Sequence, residues 1–517
     1  MTGVLTTIHA KPQVTGAQEE AGRQRGRWLT PYQVLGTAVW LLISVTAWRL
    51  PVAGGFGQYA AAVERIRADW LHPSNPLLDM PGGGSPYYTP YTLVLGLVAR
   101  ATDLPGWQLL RACGPLNLAV LLTGIAAFTR TLSSRRWAPV LALGAFVLLW
   151  GPAHMEWTGF LGLQSLVRGI TYPSALAVGL TFHLWALTSR FAQRGPGPGP
   201  WAYAGLGALA GLVVLIHPFT AIGAAIGMAA LVAGRRRRWA RSSGRWALTG
   251  AVAFAVAAWW PYFSVFSLIG DPATDSMHRP LYHDLWACYG LALAGLPALA
   301  WRARRDPFDP LVLMFVLGCG VAAYGWFSGH YAYGRIFGLL LVPLQFSLAV
   351  ELAEIPPWTQ LRQVLVPLTA LAACAGLVAQ AGAVVPKGYA PVVLQRTGHW
   401  PDYRWAADRI PVGEVVLTDG FRPSRVLPAY GAYLVAPAWP DPSTPLSVRQ
   451  ARKAAVRAYF SPVTSGEDRR RIERAYKVRW VLTLPGEPAP PDATRVASGR
   501  VTGERLYRLS GAYGAGS

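Results

Sequence analysis

Residues 51–108 read PVAGGFGQYAAAVERIRADWLHPSNPLLDMPGGGSPYYTPYTLVLGLVARATDLPGWQ. They lie between two apolar runs, Tyr32–Leu50 and Leu109–Thr129, and carry the densest set of acids, aromatics and turn residues between any two such runs. The one apolar segment inside them, Tyr91–Thr102, is about 12 residues long and interrupted by Arg100, too short to cross a hydrocarbon core of about 30 Å. Counting it as a crossing would also put the Arg130, Arg135 and Arg136 cluster outside, against the preference of basic residues for the cytoplasmic side. Residues 51–108 therefore read as one continuous outer loop, with Tyr91–Thr102 a surface helix.

The composition agrees with a membrane setting. Mean hydropathy is +0.29, 14% of the 517 residues are charged, and 22 are Trp. The formal charge of +22 does not point to nucleic acid. Much of the Arg sits in short loops at alternate ends of the apolar runs, where it sets orientation, and no basic module interleaved with aromatics is present. The four cysteines, Cys113, Cys288, Cys319 and Cys374, all lie inside apolar runs without metal-ligand spacing and read as inert thiols.

Working outward from the loop, residues 1–31 are polar, show no cleavable signal and read as a cytoplasmic tail. Crossings follow at about Tyr32–Leu50, Leu109–Thr129, Trp137–Pro152 and Tyr172–Thr188. The run Trp201–Gly234 is too long for one crossing and is broken at His217-Pro218, because proline removes a backbone donor and disfavours helix at the residue before it. Two helices meeting at an outer corner fit this run. Five more crossings, at about Trp246–Leu268, Leu285–Trp301, Leu311–Phe327, Ile336–Ile355 and Val364–Val385, bring the total to eleven. The scheme holds the strongest Arg clusters inside and delivers residues 386–517 outside. The core of this organisation is residues 32–385.

Residues 386–517 change character to a soluble α/β mixture. The β-branched runs in Gly413–Asp419 and Tyr476–Leu484 predict strands, Leu446–Phe460 and Ser465–Ala475 predict helices, and a last strand pair is expected near Arg495–Ser498 and Glu504–Leu509. About 120 residues are enough for such a unit to carry its own core.

Three passages carry a resemblance: Pro90-YTLVLGLVARATDLPGWQLLR-Ala112, GRIFGLLLVPLQFSLA from Gly334, and the tail segments WAADRIPVGEVVLTDG, LPAYGAYLVA and ERAYKVRWVLTL. Together with the many spans and the large first outer loop, they resemble the GT-C superfamily of polyprenyl-phosphate-sugar-dependent membrane glycosyltransferases, in particular its protein mannosyltransferase and arabinosyltransferase branches and actinobacterial-type members. The likeness covers nearly the whole chain after residue 31. It implies an α-helical polytopic membrane protein of about eleven spans, GT-C-like, with a C-terminal extracytoplasmic α/β domain, in the plasma membrane. The implied activity is sugar transfer from a polyprenyl-phosphate donor to an extracytoplasmic glycan, lipid or protein. The chain departs from the family in one place. An Asp or Glu is expected within a few residues of the end of span one, and here Gly54–Tyr59 reads GGFGQY, with Gln58 and no acid.

Such a transfer needs a carboxylate to take the acceptor proton and cationic groups on the departing phosphate. Glu64, with Asp69 as second choice, is the candidate base. Both fall on a predicted amphipathic helix, Gln58–Leu71, whose apolar face is Tyr59, Val63, Ile66 and Trp70, and both equally fit a solvated polar face. In the next outer segment, Glu156 is a candidate acceptor-site acid and Arg168 a phosphate partner. A divalent metal could use His154 and Glu156, although no third ligand is evident. His217 stands at the broken helix, where it either lines the site or satisfies freed carbonyls. Arg335, beside His330, Tyr331 and Tyr333 at the head of a late span, could clamp a lipid phosphate or snorkel to the interface. The missing acid leaves open a relative of the same fold that binds a lipid-linked glycan or a partner enzyme without catalysis. A transporter fits less well, since no internal repeat of discontinuous spans is visible.

Overall fold

The computed structural model describes residues 29–81, 84–153, 157–193, 198–268, 272–354, 359–385, 400–439 and 441–510. Each of the eleven apolar segments is helical over most of its length, but their dimensions differ. Among the described residues four helical stretches are long and apolar enough to cross a membrane: Gly106–Leu132, Pro310–Ser328, Tyr331–Ala353 and Gln360–Ala383. A fifth is added if Leu163–Gly169 and Pro173–Gln193, bent by 115°, count as one. The helices Ala138–Leu148, Pro200–Ile216 and Pro218–Ala233 are apolar but shorter. The count of eleven is thus not reproduced by length and composition, because several segments are cut short by proline corners and 3-10 turns. The break at His217 is where the sequence placed it, with His217 extended at φ −154° between the two helices.

In a membrane, apolar burial does little to bring helices together, so close packing has to. Helices Gly114–Leu132 and Pro173–Gln193 show how. A Cβ on Gly124 would sit 2.6 Å from the Gly179 carbonyl, so the two backbones meet where neither residue has a side chain. Beside this contact Phe128, Phe146, Phe182, Trp185 and Phe346 form a buried cluster, with Phe182 and Phe346 stacked at 5.5 Å.

The tail folds around a five-stranded mixed sheet: β1 (Val415–Leu417), β2 (Tyr433–Leu434), β3 (Val478–Thr483), β4 (Ala493–Ser498) and β5 (Arg505–Leu509). Their order is β2-β1-β3-β5-β4, with β1 parallel to β2 and β3, and β5 antiparallel to β3 and β4. Helices Leu446–Phe460 and Gly466–Ala475 match the sequence expectation, and Ser465 caps the second by accepting the Asp468 N–H. One face of the sheet, including Val415, Val478 and Val481, packs with Val456 and Tyr459 of the first of these helices. The other face is covered in part by the tail's own Tyr403, Ala406, Ile410, Val426 and Leu427. With them, Val416, Leu434, Trp480, Leu482 and Leu506 share one core with Val52, Phe56, Ala60, Val63, Leu95 and Leu110 of residues 51–110.

That shared core changes the reading of the loop. The helix over Phe56–Ala68 is not a half-solvated interfacial helix, since all but one of the residues from Phe56 through Ile66 are buried. Helix Pro90–Thr102 covers one side of it, burying Tyr91, Leu95 and Ala99, and the tail covers another. Its polar residues are tied rather than solvated. Arg65 donates to the Gly431 carbonyl at 2.9 Å and lies 3.6 Å over the Tyr433 ring. Glu64 pairs with Arg67 at 2.7 Å and accepts the Gly106 N–H at 2.9 Å. Further links cross the same boundary: Leu434 N–H to the Leu77 carbonyl at 2.8 Å, the Asp79–Lys477 ion pair at 3.0 Å, and Ser85 to the buried Asp441 carboxylate. Burial raises the Asp441 carboxyl pKa, against the pull of the Ser443 and Ser85 donors.

Gly57 is the tightest point of this boundary, where an added Cβ would lie 1.9 Å from the Arg425 carbonyl oxygen. Gly57→Ala is expected to cost about 1–3 kcal/mol by forcing loop and tail apart, read as a lowered unfolding temperature and faster proteolysis of the tail in the full-length protein. A second expectation concerns pH. Burial lifts the Glu487 carboxyl to about 7. A raised carboxyl favours the fold at low pH, and that contribution is lost as pH rises through about 7. Hydrogen-exchange protection of Val478–Thr483, taken relative to the intrinsic exchange rate, should therefore fall between pH about 5 and 8, and Glu487→Gln should flatten the profile.

Candidate functional site

Residues 51–108, the helical core and the tail meet around one cavity of about 410 Å³. The loop contributes Gln58, Tyr59 and Tyr87, the core Thr158, Arg168, His217 and Arg335, and the tail Arg425, Trp439 and Arg449. Among the described residues its lining holds four arginines and two histidines and no carboxylate.

Arg335 is placed by the 3-10 turn Tyr331–Ile336 at the head of a membrane-length helix and is 7% exposed. Its Nη2 donates to the carbonyl and the hydroxyl of Thr158, and its Nε has no partner among the described residues. Aromatic rings replace a counter-ion: the guanidinium lies 5.1 Å from the Phe219 ring centre and 5.3 Å from that of Trp157. His217 caps helix Pro218–Ala233, its Nδ1 accepting the Thr220 N–H at 3.2 Å. The neutral ring then carries its proton on Nε2, 3.3 Å from the Thr158 hydroxyl. With N–H groups of Arg335 and His217 both aimed at its oxygen, the Thr158 hydroxyl keeps its own hydrogen to donate into the cavity.

Tyr59 stands on the loop side within the field of both Arg335 and Arg425, and burial pushes its phenol up to about 12, so it serves as a neutral donor. Gln58 is buried, and its Oε1 has no hydrogen-bond partner among the described residues. Arg425 comes from the tail helix Phe421–Val426. Its Nε donates to the Gly54 carbonyl at 3.2 Å, and burial lowers its pKa.

The structure thus brings Gln58, Arg168, His217 and Arg335 together and leaves other nominated residues apart. Glu64 faces Arg67 and Gly106 instead of the cavity. Asp69 is exposed and accepts the Leu71 and His72 N–H groups at 3.0 Å each, which holds its carboxyl below the usual range. His330 lies off the lining and bonds Asp275 through Nδ1 at 2.8 Å. His154 and Glu156, with the metal site considered for them, fall outside the described residues. Among the described residues no three His, Cys, Asp or Glu side chains group as metal ligands. Sequence reasoning missed Arg425, Tyr59, Trp439 and Thr158. Nothing local marks Arg425 in GFRPSRV, since its role comes from a contact with Gly54.

No family model and no curated protein matches the sequence. Solved structures do match in fold. The arabinofuranosyltransferase AftD from Mycobacteria aligns with a TM-score of 0.55 at 16% identity, over 92% of this chain and 39% of that one. A variant of AftD gives 0.56 at 16% identity, over 92% and 41%. ArnT from Cupriavidus metallidurans gives 0.51 at 15% identity, over 92% of this chain and 97% of that one. The chain therefore spans about two-fifths of AftD and nearly all of ArnT. The chain thus shares its fold with the membrane enzymes AftD and ArnT.

Proposed function

We propose that the chain is a glycosyltransferase that takes a sugar from a polyprenyl-phosphate donor, with the phosphate held at Arg335, and transfers it to an extracytoplasmic acceptor. The observation that carries this reading is a buried arginine without a carboxylate partner among the described residues, facing a cavity with no acid on its described lining. Such a site favours an anion strongly, because charge is poorly screened away from water. Negative charge grows on the departing phosphate during transfer, where a pre-placed guanidinium acts most. Arg168, His217 and the Thr158 hydroxyl complete the donor set. Glu64 and Asp69 are committed elsewhere, so the proton-accepting role passes to Glu156, which directly precedes the lining residue Trp157 in sequence.

The topology belongs to the same proposal: eleven crossings, N-terminus in the cytoplasm, tail outside. The core shared by loop and tail supports it. Two segments that pack together lie on one side of the membrane, so the chain between them crosses an even number of times. Ten crossings fall between residues 108 and 386 in the eleven-span scheme. The second reading, a protein that binds the lipid-linked glycan without transferring it, draws on the described lining's lack of a carboxylate and on Gln58 in the first turn of the loop helix.

The test is sugar transfer by the purified, reconstituted protein from a panel of polyprenyl-phosphate sugars, with donor binding measured alongside. Wild type should transfer. Arg335→Gln should lose about 100-fold or more, Glu156→Gln should bind donor without transfer, and Glu64→Gln and Asp69→Asn should keep most activity. Donor binding without transfer by wild type would select the second reading, and no donor binding would sink both.

A further inference from the structure

The cavity holds more positive charge than one phosphate needs. Arg335 enters from the helical core and Arg425 from the tail, and both line the same space of about 410 Å³. Neither pairs with a carboxylate among the described residues. Each lies near aromatic rings instead, Arg425 at 5.2 Å from the Trp439 ring centre and 5.9 Å from that of Phe421. Removing two like charges from water and turning them toward one small cavity is costly twice over, in lost hydration and in mutual repulsion. A single anion at Arg335 offsets only part of that.

The two arginines are also held differently. The core guanidinium is anchored through Nη2 on Thr158. That of Arg425 is anchored through Nε on the Gly54 carbonyl, and its two terminal nitrogens have no hydrogen-bond partner among the described residues. Those two nitrogens form the fork that grips an oxyanion through two parallel hydrogen bonds. The guanidinium lies between the Trp439 and Phe421 side chains of the tail. Phe421, on the same short helix, is 58% exposed and packs against Trp400 at 6.0 Å, and both line the cavity.

We propose that Arg425 forms a second anion subsite, on the tail side of the cavity, that receives a phosphate or carboxylate group carried by the acceptor. This rests on the reading that Arg335 holds the lipid phosphate. The acceptor is thereby an anionic glycan, lipid or peptide rather than a neutral one. The tail, in consequence, is part of the binding site and selects what enters it.

Tryptophan fluorescence can follow binding, because Trp157, Trp400 and Trp439 line the cavity. The full chain in lipid nanodiscs is titrated first with farnesyl phosphate, then, once saturated, with inorganic phosphate, and separately with farnesyl diphosphate. Arg425→Gln should leave farnesyl phosphate affinity within about threefold and weaken inorganic phosphate about tenfold or more, by loss of a bidentate, charge-assisted contact. Arg425→Lys keeps the charge but not the fork, and should restore part of the phosphate affinity, which a merely misfolded tail would not allow. Arg335→Gln should abolish farnesyl phosphate binding. Unchanged phosphate binding in Arg425→Gln, with farnesyl phosphate binding intact, overturns the second subsite and leaves the donor reading standing. A diphosphate that binds about tenfold tighter than the monophosphate, with the gain lost in Arg425→Gln, assigns the second anion to the donor and overturns the acceptor assignment. Failure of wild type to bind farnesyl phosphate sinks the donor reading itself.

Discussion

The packing of the tail helices Phe421–Val426 and Leu427–Tyr430 against helix Phe56–Ala68 is the constraint on which the rest of the structure depends. A sheet with two apolar faces needs two covers. Here one cover is the tail's own helix Leu446–Phe460, and the other is a core in which tail residues such as Tyr403, Ile410, Val426 and Leu427 join Phe56, Ala60 and Val63 of the loop. Because that loop is also packed on the helical core, the tail is fixed relative to the core at three kinds of contact: a common apolar cluster, backbone hydrogen bonds such as Leu434 to Leu77, and charged ties such as Arg65 to Gly431. The cavity is what remains between the three parts once they are fixed, and its shape is a by-product of how closely they meet at Gly57.

Its electrostatics follow from the same arrangement. A buried charge ordinarily brings a partner. At this junction the acids of the loop are used where the helix meets its neighbours, Glu64 on Arg67 and Asp79 on Lys477, which leaves the cavity side to cations, phenols and indoles. Aromatic faces soften the burial of the guanidinium groups without neutralising them. The positive character of the site is therefore not an accident of the chain's overall charge, much of which lies in short loops between the helices.

The parts of the fold that are local were legible in the sequence, and the parts that are long-range were not. The tail helix Leu446–Phe460, the capped start at Ser465, the strands β1, β3, β4 and β5, and the corner at His217-Pro218 all announce themselves through periodicity, capping chemistry or proline. Strand β2 is only two residues long and exists because it can pair with β1, so no run of residues could reveal it. The count of crossings suffered from a similar limit, since an apolar run does not say where a 3-10 turn will shorten it. At the site, Arg335 and His217 were found because a charge or a proline beside an apolar run is conspicuous. Arg425 and Tyr59 were missed because their significance lies in each other's proximity. Glu64 attracted attention for being an acid in the right loop, while its burial against Arg67 and Gly106 depends on helices it does not belong to.

The bond from Arg425 to the Gly54 carbonyl joins residues 371 positions apart. At about 5–20 residues per second, the later partner is made roughly 20–70 s after the earlier one. During that interval the flank of helix Phe56–Ala68 destined for the tail is still bare, including Arg65 and the cluster around Phe56 and Val63. The ribosome thus imposes a waiting period on the nascent chain, and the cavity comes into being only when one of the last parts to be synthesised returns to one of the first.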